Sequence, residues 1–237
     1  MTREVTGEAA RELVEAVRAG LAAQADPVRA AGTQAYMKSA MPYYGVRMPA
    51  LRALLRSVLE TYPLANVEAW RGTVLMLWDE ARYREERYAA LELLGSSVYR
   101  RFQSLELVPL YEYLIVSGAW WDLVDDVATH RVSDLLRRFP DQMRPVLLGW
   151  SQHDDHWLRR TSIICQVGAK ALTDEALLFE CIEPSLGERD FFLRKGIGWA
   201  LREYSKTSPA AVRAYVAEHA DRLSGLSRRE ALRLLPA

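Results

Sequence analysis

An all-α fold, built as a solenoid of stacked helix pairs, is what the sequence predicts, and three observations predict it. Apolar residues recur at helical spacing through nearly the whole chain. Strand-like alternation never persists, and Val, Ile and Thr do not cluster. Segments of about 10–18 residues are joined by connections of roughly two to six, the pattern of short-looped helix pairs. The pairs recur roughly every 35–40 residues, close to the ~40–47 of HEAT and armadillo repeats, so the units are HEAT-like. Such arrays present a concave surface lined by one helix of each pair. No linker or low-complexity segment interrupts the chain, and residues 1–237 are read as a single domain.

The elements follow in order. Residues 7–23 carry Ala10, Leu13, Val14, Val17 and Leu21 on one helical face. Asp26-Pro27 is an N-cap followed by proline at the first helical position, and opens a helix to about Lys38. Met41-Pro42-Tyr43-Tyr44-Gly45 is a loop. Met48-Pro49 opens a helix through Leu51, Leu55 and Val58, which Tyr62-Pro63 closes. Helices follow at about 65–78, 80–98 and 105–117, the last stopping at Ser117-Gly118. The next runs from Ala119 to Phe139-Pro140. Shorter ones are expected at about 141–151, 155–169, 173–184, 190–206, 208–222 and 226–235.

Half of the chain is hydrophobic, enough for a substantial core, and 31 basic residues balance 31 acidic ones. A neutral total argues against a uniform basic coat but leaves room for a concentrated basic face. Only Lys38, Lys170, Lys195 and Lys206 are lysines. The other basic residues are arginines, whose planar fork suits phosphate and carboxylate. The two cysteines, Cys165 and Cys181, lie in apolar helical contexts and are expected reduced and buried. The N-terminus has no secretory signal pattern and no stretch of 18 apolar residues occurs. A cytoplasmic protein is expected.

Four stretches carry candidate chemistry. In Ala119-Trp120-Trp121-Asp122-Leu123-Val124-Asp125-Asp126, the pair Trp121 and Asp125 is spaced i, i+4 and sits at the margin of an apolar stripe of Trp120, Leu123, Val124, Val127, Ala128 and Leu135. An indole beside a carboxylate suits a cation or developing positive charge. A core-edge tryptophan and a solvated aspartate would give the same pattern. In Trp157-Leu158-Arg159-Arg160, Arg160 falls within a stripe with Trp157, Ile164 and Val167. A guanidinium there needs a bidentate acidic partner, either an internal carboxylate or a phosphate. In the helix at 190–206, Trp199 stands off the stripe of Leu193, Ile197, Ala200, Leu201 and Tyr204, with Lys195 at i−4 and Arg202 at i+3. That grouping suits a nucleic-acid backbone. Burial on both sides, eased by Gly196 and Gly198, is the structural alternative. Tyr36 precedes the Pro-Tyr-Tyr-Gly loop, which could border a groove or be an ordinary connection. His153-Asp154-Asp155-His156 is read as a helix cap and not as a metal site. No metal and no cofactor are expected.

Tyr36-Met37-Lys38, Tyr44-Gly45-Val46-Arg47 with Pro49, Trp120 to Asp125, Trp157 to Arg160, and Phe191-Phe192 with Lys195, Ile197-Gly198-Trp199 and Leu201-Arg202-Glu203-Tyr204 occur in that order. Together they make the chain resemble the bacterial AlkD-type alkylpurine DNA glycosylases, a HEAT-like all-helical family, from about residue 8 to 235. The N-terminal loop after Tyr36 departs somewhat from the family pattern. The resemblance implies a monomeric, monofunctional glycosylase with a concave DNA-binding surface, nucleoid-associated when bound to DNA. It would hydrolyse the N-glycosidic bond of cationic N3- or N7-alkylated purines in double-stranded DNA, with no role at a membrane. It implies that Asp125 is the catalytic carboxylate, that Trp121 and Trp199 hold the lesion's deoxyribose, that Arg160 holds a backbone phosphate, and that Tyr36 touches DNA. It also implies engagement of the lesion from the backbone side, without a base pocket. A non-catalytic HEAT-like protein that binds damaged or branched DNA is the alternative, and a protein scaffold is the default for helical repeats without these motifs.

Overall fold

The computed structural model describes residues 2–236, with side chains from residue 8. Among the described residues every regular element is helical and no strand occurs. The chain packs as two compact units, Met1–Gln103 and Ser104–Ala237.

The first unit holds α1 (Thr2–Ala23), α2 (Pro27–Met37), α3 (Met48–Thr61), α4 (Val67–Asp79) and α5 (Arg84–Leu94). The predicted stripe of α1 is buried as a set, Ala10, Leu13, Val14, Val17 and Leu21, where α1 meets α3 and α4. Trp70 and Trp78 of α4 are fully enclosed, and the Trp70 indole donates to the Leu93 carbonyl at 3.2 Å. Asp26 caps α2 by accepting from the Arg29 amide at 3.0 Å, as its Asp-Pro signature predicts.

The helix expected at 80–98 is shorter, and the loop before α3 explains its late start. Tyr83 is extended, and the Arg84 amide donates to the Pro42 carbonyl at 2.8 Å. Glu85 and Glu86, in the first turn of α5, are both fully buried. One Glu85 oxygen accepts from the Gly45 and Val46 amides, at 2.8 and 3.2 Å, and the other accepts from the Tyr44 amide at 2.9 Å. Glu86 accepts from the Tyr44 hydroxyl at 3.1 Å and from Arg18 at 3.0 Å. A buried carboxylate is tolerated only when hydrogen-bonded or paired, and both of these are. The Tyr-Tyr-Gly segment is therefore an internal strut. At its other end, α5 gives way to a 3₁₀ stretch, Ser97–Phe102.

The second unit holds α6 (Val108–Gly118), α7 (Trp121–Asp126), α8 (Ser133–Arg138), α9 (Pro140–Ser151), α10 (His156–Ile164), α11 (Glu175–Ile182), α12 (Phe191–Ser205), α13 (Pro209–Glu218) and α14 (Gly225–Leu232). Its core gathers Ile163 and Ile164 of α10, Leu193, Ile197, Ala200 and Leu201 of α12, Val212 of α13 and Ala231 of α14. Both cysteines are buried as free thiols. Asp155 caps α10, accepting from the Trp157 and Leu158 amides at 2.8 and 3.1 Å. Between α7 and α8 the chain makes a π-helical turn, Val127–Val132, where the sequence predicts an uninterrupted α-helix. There the Thr129 hydroxyl donates to the Asp125 carbonyl at 2.7 Å, and a ring nitrogen of His130 lies 3.1 Å from the Asp126 carbonyl. Such side-chain bonds to backbone carbonyls compete with the regular ladder. Val132, which a regular count leaves off the stripe, is fully buried.

Replacing Glu85 with alanine leaves three loop amides without an acceptor. Urea unfolding should show a loss of about 3 kcal/mol or more, whereas Glu92→Ala, which removes a partly exposed partner of Arg52, should cost less than about 1 kcal/mol.

Candidate functional site

α7 begins abruptly. Ala119 takes the left-handed conformation at φ 40°, Trp120 is extended, and the helix starts at Trp121. That entry turns Trp120 inward, where its ring meets Trp157 of α10 at 6.4 Å and Phe192 of α12 at 5.3 Å between centroids. Trp157 and Phe192 are themselves 4.8 Å apart. Three aromatic rings from three segments thus form one wedge. Trp121 stays half-buried one turn before Asp125.

Beside this wedge lies the ion pair that decides the partner of Arg160. The Arg160 Nε and Nη2 donate to the two oxygens of Asp125, each at 2.8 Å, and Nη1 donates to the Phe192 carbonyl at 2.6 Å. The guanidinium is 6% exposed and the Asp125 carboxylate 16%. Of the two partners the sequence leaves open for Arg160, the internal carboxylate is present, and it is Asp125 itself. Three of the five guanidinium N–H groups are engaged, leaving two. Gly196 gives the guanidinium room, because a Cβ at that position would stand 3.1 Å from Nη1. Burial lifts the Asp125 carboxyl above the ordinary aspartate value, while the hydrogen bonds and charge of Arg160 pull it down and the charge of Asp122 adds to the rise.

Trp199 is half-buried and packs against the core of this unit, so it is not clear of the core as helical spacing alone predicts. Its neighbours in the sequence pattern, Lys195 and Arg202, both meet Glu230 of α14; Lys195 Nζ lies 3.6 Å from it and Arg202 touches it directly. Gly198 permits this meeting, since a Cβ there would come within 2.6 Å of the Glu230 Cβ. Sequence reasoning missed Glu230. The signal is present: it is the one acid in Ser227-Arg228-Arg229-Glu230-Ala231, and it shares the buried side of α14 with Ser227 and Ala231. Tyr36, in the first unit, is 76% exposed near the end of α2. Asp125, Arg160, Lys195, Arg202 and both candidate tryptophans all belong to the second unit. Three clefts of that unit, of about 300, 470 and 620 Å³, are lined by other residues.

A sequence family described as DNA alkylation repair enzyme matches residues 17–235. The chain belongs to the DNA alkylation repair enzyme family. A solved structure described as a predicted DNA alkylation repair enzyme from Enterococcus faecalis is 30% identical. It superposes with a TM-score of 0.80 over 90% of this chain and 97% of its own. No curated protein matches. Membership in this repair family accords with the motif resemblance seen in the sequence, and no described helix is long and apolar enough to cross a membrane.

The Asp125–Arg160 geometry sets an expectation for stability. Asp125→Ala strands a buried guanidinium and should cost about 3–5 kcal/mol in urea unfolding. Asp125→Asn keeps one carbonyl acceptor but loses the counter-charge and turns an amide donor toward the fork, so it should remain destabilising though less so than Asp125→Ala.

Proposed function

We propose that this member of the alkylation repair family is a monofunctional DNA glycosylase. It hydrolyses the N-glycosidic bond of cationic N3- and N7-alkylated purines in double-stranded DNA, acting as a monomer without a cofactor. The observation that carries this reading is the largely buried Asp125 carboxylate, fixed in place by Arg160 and one helical turn from the half-buried Trp121.

An alkylated purine that bears positive charge leaves as a neutral base, so no general acid is needed. The difficulty lies in the sugar, which becomes oxocarbenium-like as the bond to C1′ breaks. A carboxylate beside C1′ stabilises that charge and orients the attacking water. Arg160 occupies two of the roughly four lone-pair directions of Asp125, which leaves the others for water and sugar. Trp121 and Trp199 hold the deoxyribose, and their faces add cation–π attraction while excluding bulk water. The two remaining N–H groups of Arg160 take a backbone phosphate, which ties the position of the strand to that of the carboxylate. Lys195, Arg202 and the exposed Tyr36 contact DNA. With the lesion engaged from its backbone side, selection rests on the charge of the base more than on its size.

A second reading has its own observation. Both oxygens of Asp125 are held by Arg160, and a carboxylate whose only task is to neutralise a buried arginine would have this geometry. A DNA-binding protein without base release would then result.

Release of methylated purines from duplex DNA treated with a simple methylating agent separates the two. Wild type should release them, and folded Asp125→Asn should release none while keeping most of its affinity for DNA. Wild-type release by Asp125→Asn would end the catalytic assignment, and a gel shift without release by either protein would establish the binding reading. The pH profile supplies a further check. The reaction needs the ionised carboxylate, and burial raises the pKa of Asp125. The acidic limb of the excision rate should therefore lie above the range of an ordinary aspartate, near 4, with activity lost as pH falls through it.

A further inference from the structure

The interface between α12 and α14 holds more positive charge than its own carboxylates balance. Glu230 is buried and gathers three cations: Lys195 at 3.6 Å, Arg233 at 3.3 Å and Arg202 in direct contact. Glu203, the second carboxylate, lies 3.9 Å from Arg202 and is already held by Lys206 at 2.7 Å. Four cations thus face two carboxylates, and no other acidic side chain is paired with any of them among the described residues. Like charges gathered around one acid repel, so this cluster carries an electrostatic cost that a one-to-one pairing avoids. The crowding registers on Arg202, whose pKa is lowered by burial first and by the charge of Arg233 second. The cluster is also positioned, not loose: Gly198 brings the two helices close, and Ser227 of α14 donates to the Arg194 carbonyl of α12 at 2.9 Å. It flanks Trp199 in sequence, with Lys195 one turn before and Arg202 one turn after.

We infer that Lys195, Arg202 and Arg233, gathered on Glu230, form a phosphate-binding cradle where α12 meets α14. This inference rests on the DNA-directed reading above and adds α14 to it. A backbone phosphodiester entering beside Trp199 supplies the missing negative charge. The two guanidiniums offer planar forks that match phosphate oxygens, and the lysine offers a mobile point charge. Glu230 is a positioning residue: in the absence of DNA it holds the cations together against their mutual repulsion, and it touches no substrate. Arg233 is the member that sequence spacing does not reveal, since it does not lie on the helix that carries Trp199.

Binding of a short undamaged duplex by the full chain, measured over a series of salt concentrations, tests this. Removing one cation that neutralises a phosphate lowers the slope of log affinity against log salt by about one. Arg233→Gln should lower the slope by about one and weaken binding at low salt, with the two proteins converging at high salt. Arg233→Lys should restore the slope. Arg222→Gln, which breaks an exposed pair with Glu183 at 3.0 Å, should leave it unchanged. Thermal unfolding of each variant checks that the fold persists, which the exposure of Arg233 favours. An Arg233→Gln slope equal to that of wild type overturns the cradle and leaves the glycosylase reading standing. Wild type that binds no duplex at any salt overturns the DNA-directed reading, and the cradle falls with it.

Discussion

The bidentate pair between Asp125 and Arg160 is the constraint around which the second unit is arranged. A guanidinium this deeply buried cannot remain uncompensated, so α7, α10 and the start of α12 must all stand where its donors find acceptors. Asp125 supplies two and the Phe192 carbonyl supplies the third. The aromatic wedge of Trp120, Trp157 and Phe192 fixes the same three segments from the apolar side. Packing alone does not demand the pair. Apolar residues of similar volume at such a place are commonly as stable or more so.

The same unit contains a second arrangement with opposite electrostatic logic. At Asp125 one acid meets one arginine, and the charges close. At Glu230 one acid meets three cations, and they do not. Both lie against a glycine of α12, Gly196 for the first and Gly198 for the second. The two glycines face different neighbours, so α12 is packed closely on two sides, against α10 and against α14. A chain of neutral total charge can thus concentrate positive potential locally, which net charge cannot reveal.

Most of the fold is legible in the sequence because helix signals are local. Asp26-Pro27 and Asp155 open helices where their caps predict, Met48-Pro49 opens one through its proline, and the stripe of α1 is buried residue for residue. Local rules fail where tertiary contacts override local preference: α5 starts late because its preceding residues serve the loop, and the π turn after Asp125 interrupts a clean periodicity. Of the site, Arg160 is legible as a buried guanidinium that needs an acid, but its partner is 35 residues away and no spacing rule reaches that far. The helical angle of Trp199 puts it off the stripe, yet angle does not say that a neighbouring helix lies on that side. Glu230 is legible as the acid on the buried side of its helix, but its cationic partners are not. It acquires meaning only from what α12 brings to it.

Connections between helices usually accept insertions, because their backbone is solvated and nothing measures their length. In the loop before α3 the length is measured. The amides of Tyr44, Gly45 and Val46 must all reach one enclosed carboxylate, and the Pro42 carbonyl must reach the Arg84 amide. Adding a single residue would move at least one donor out of register with an acceptor that has no water to replace it. Although it has no regular secondary structure, this segment is subject to the same register requirement as a strand within a sheet. Variation in length among relatives is to be sought at other connections.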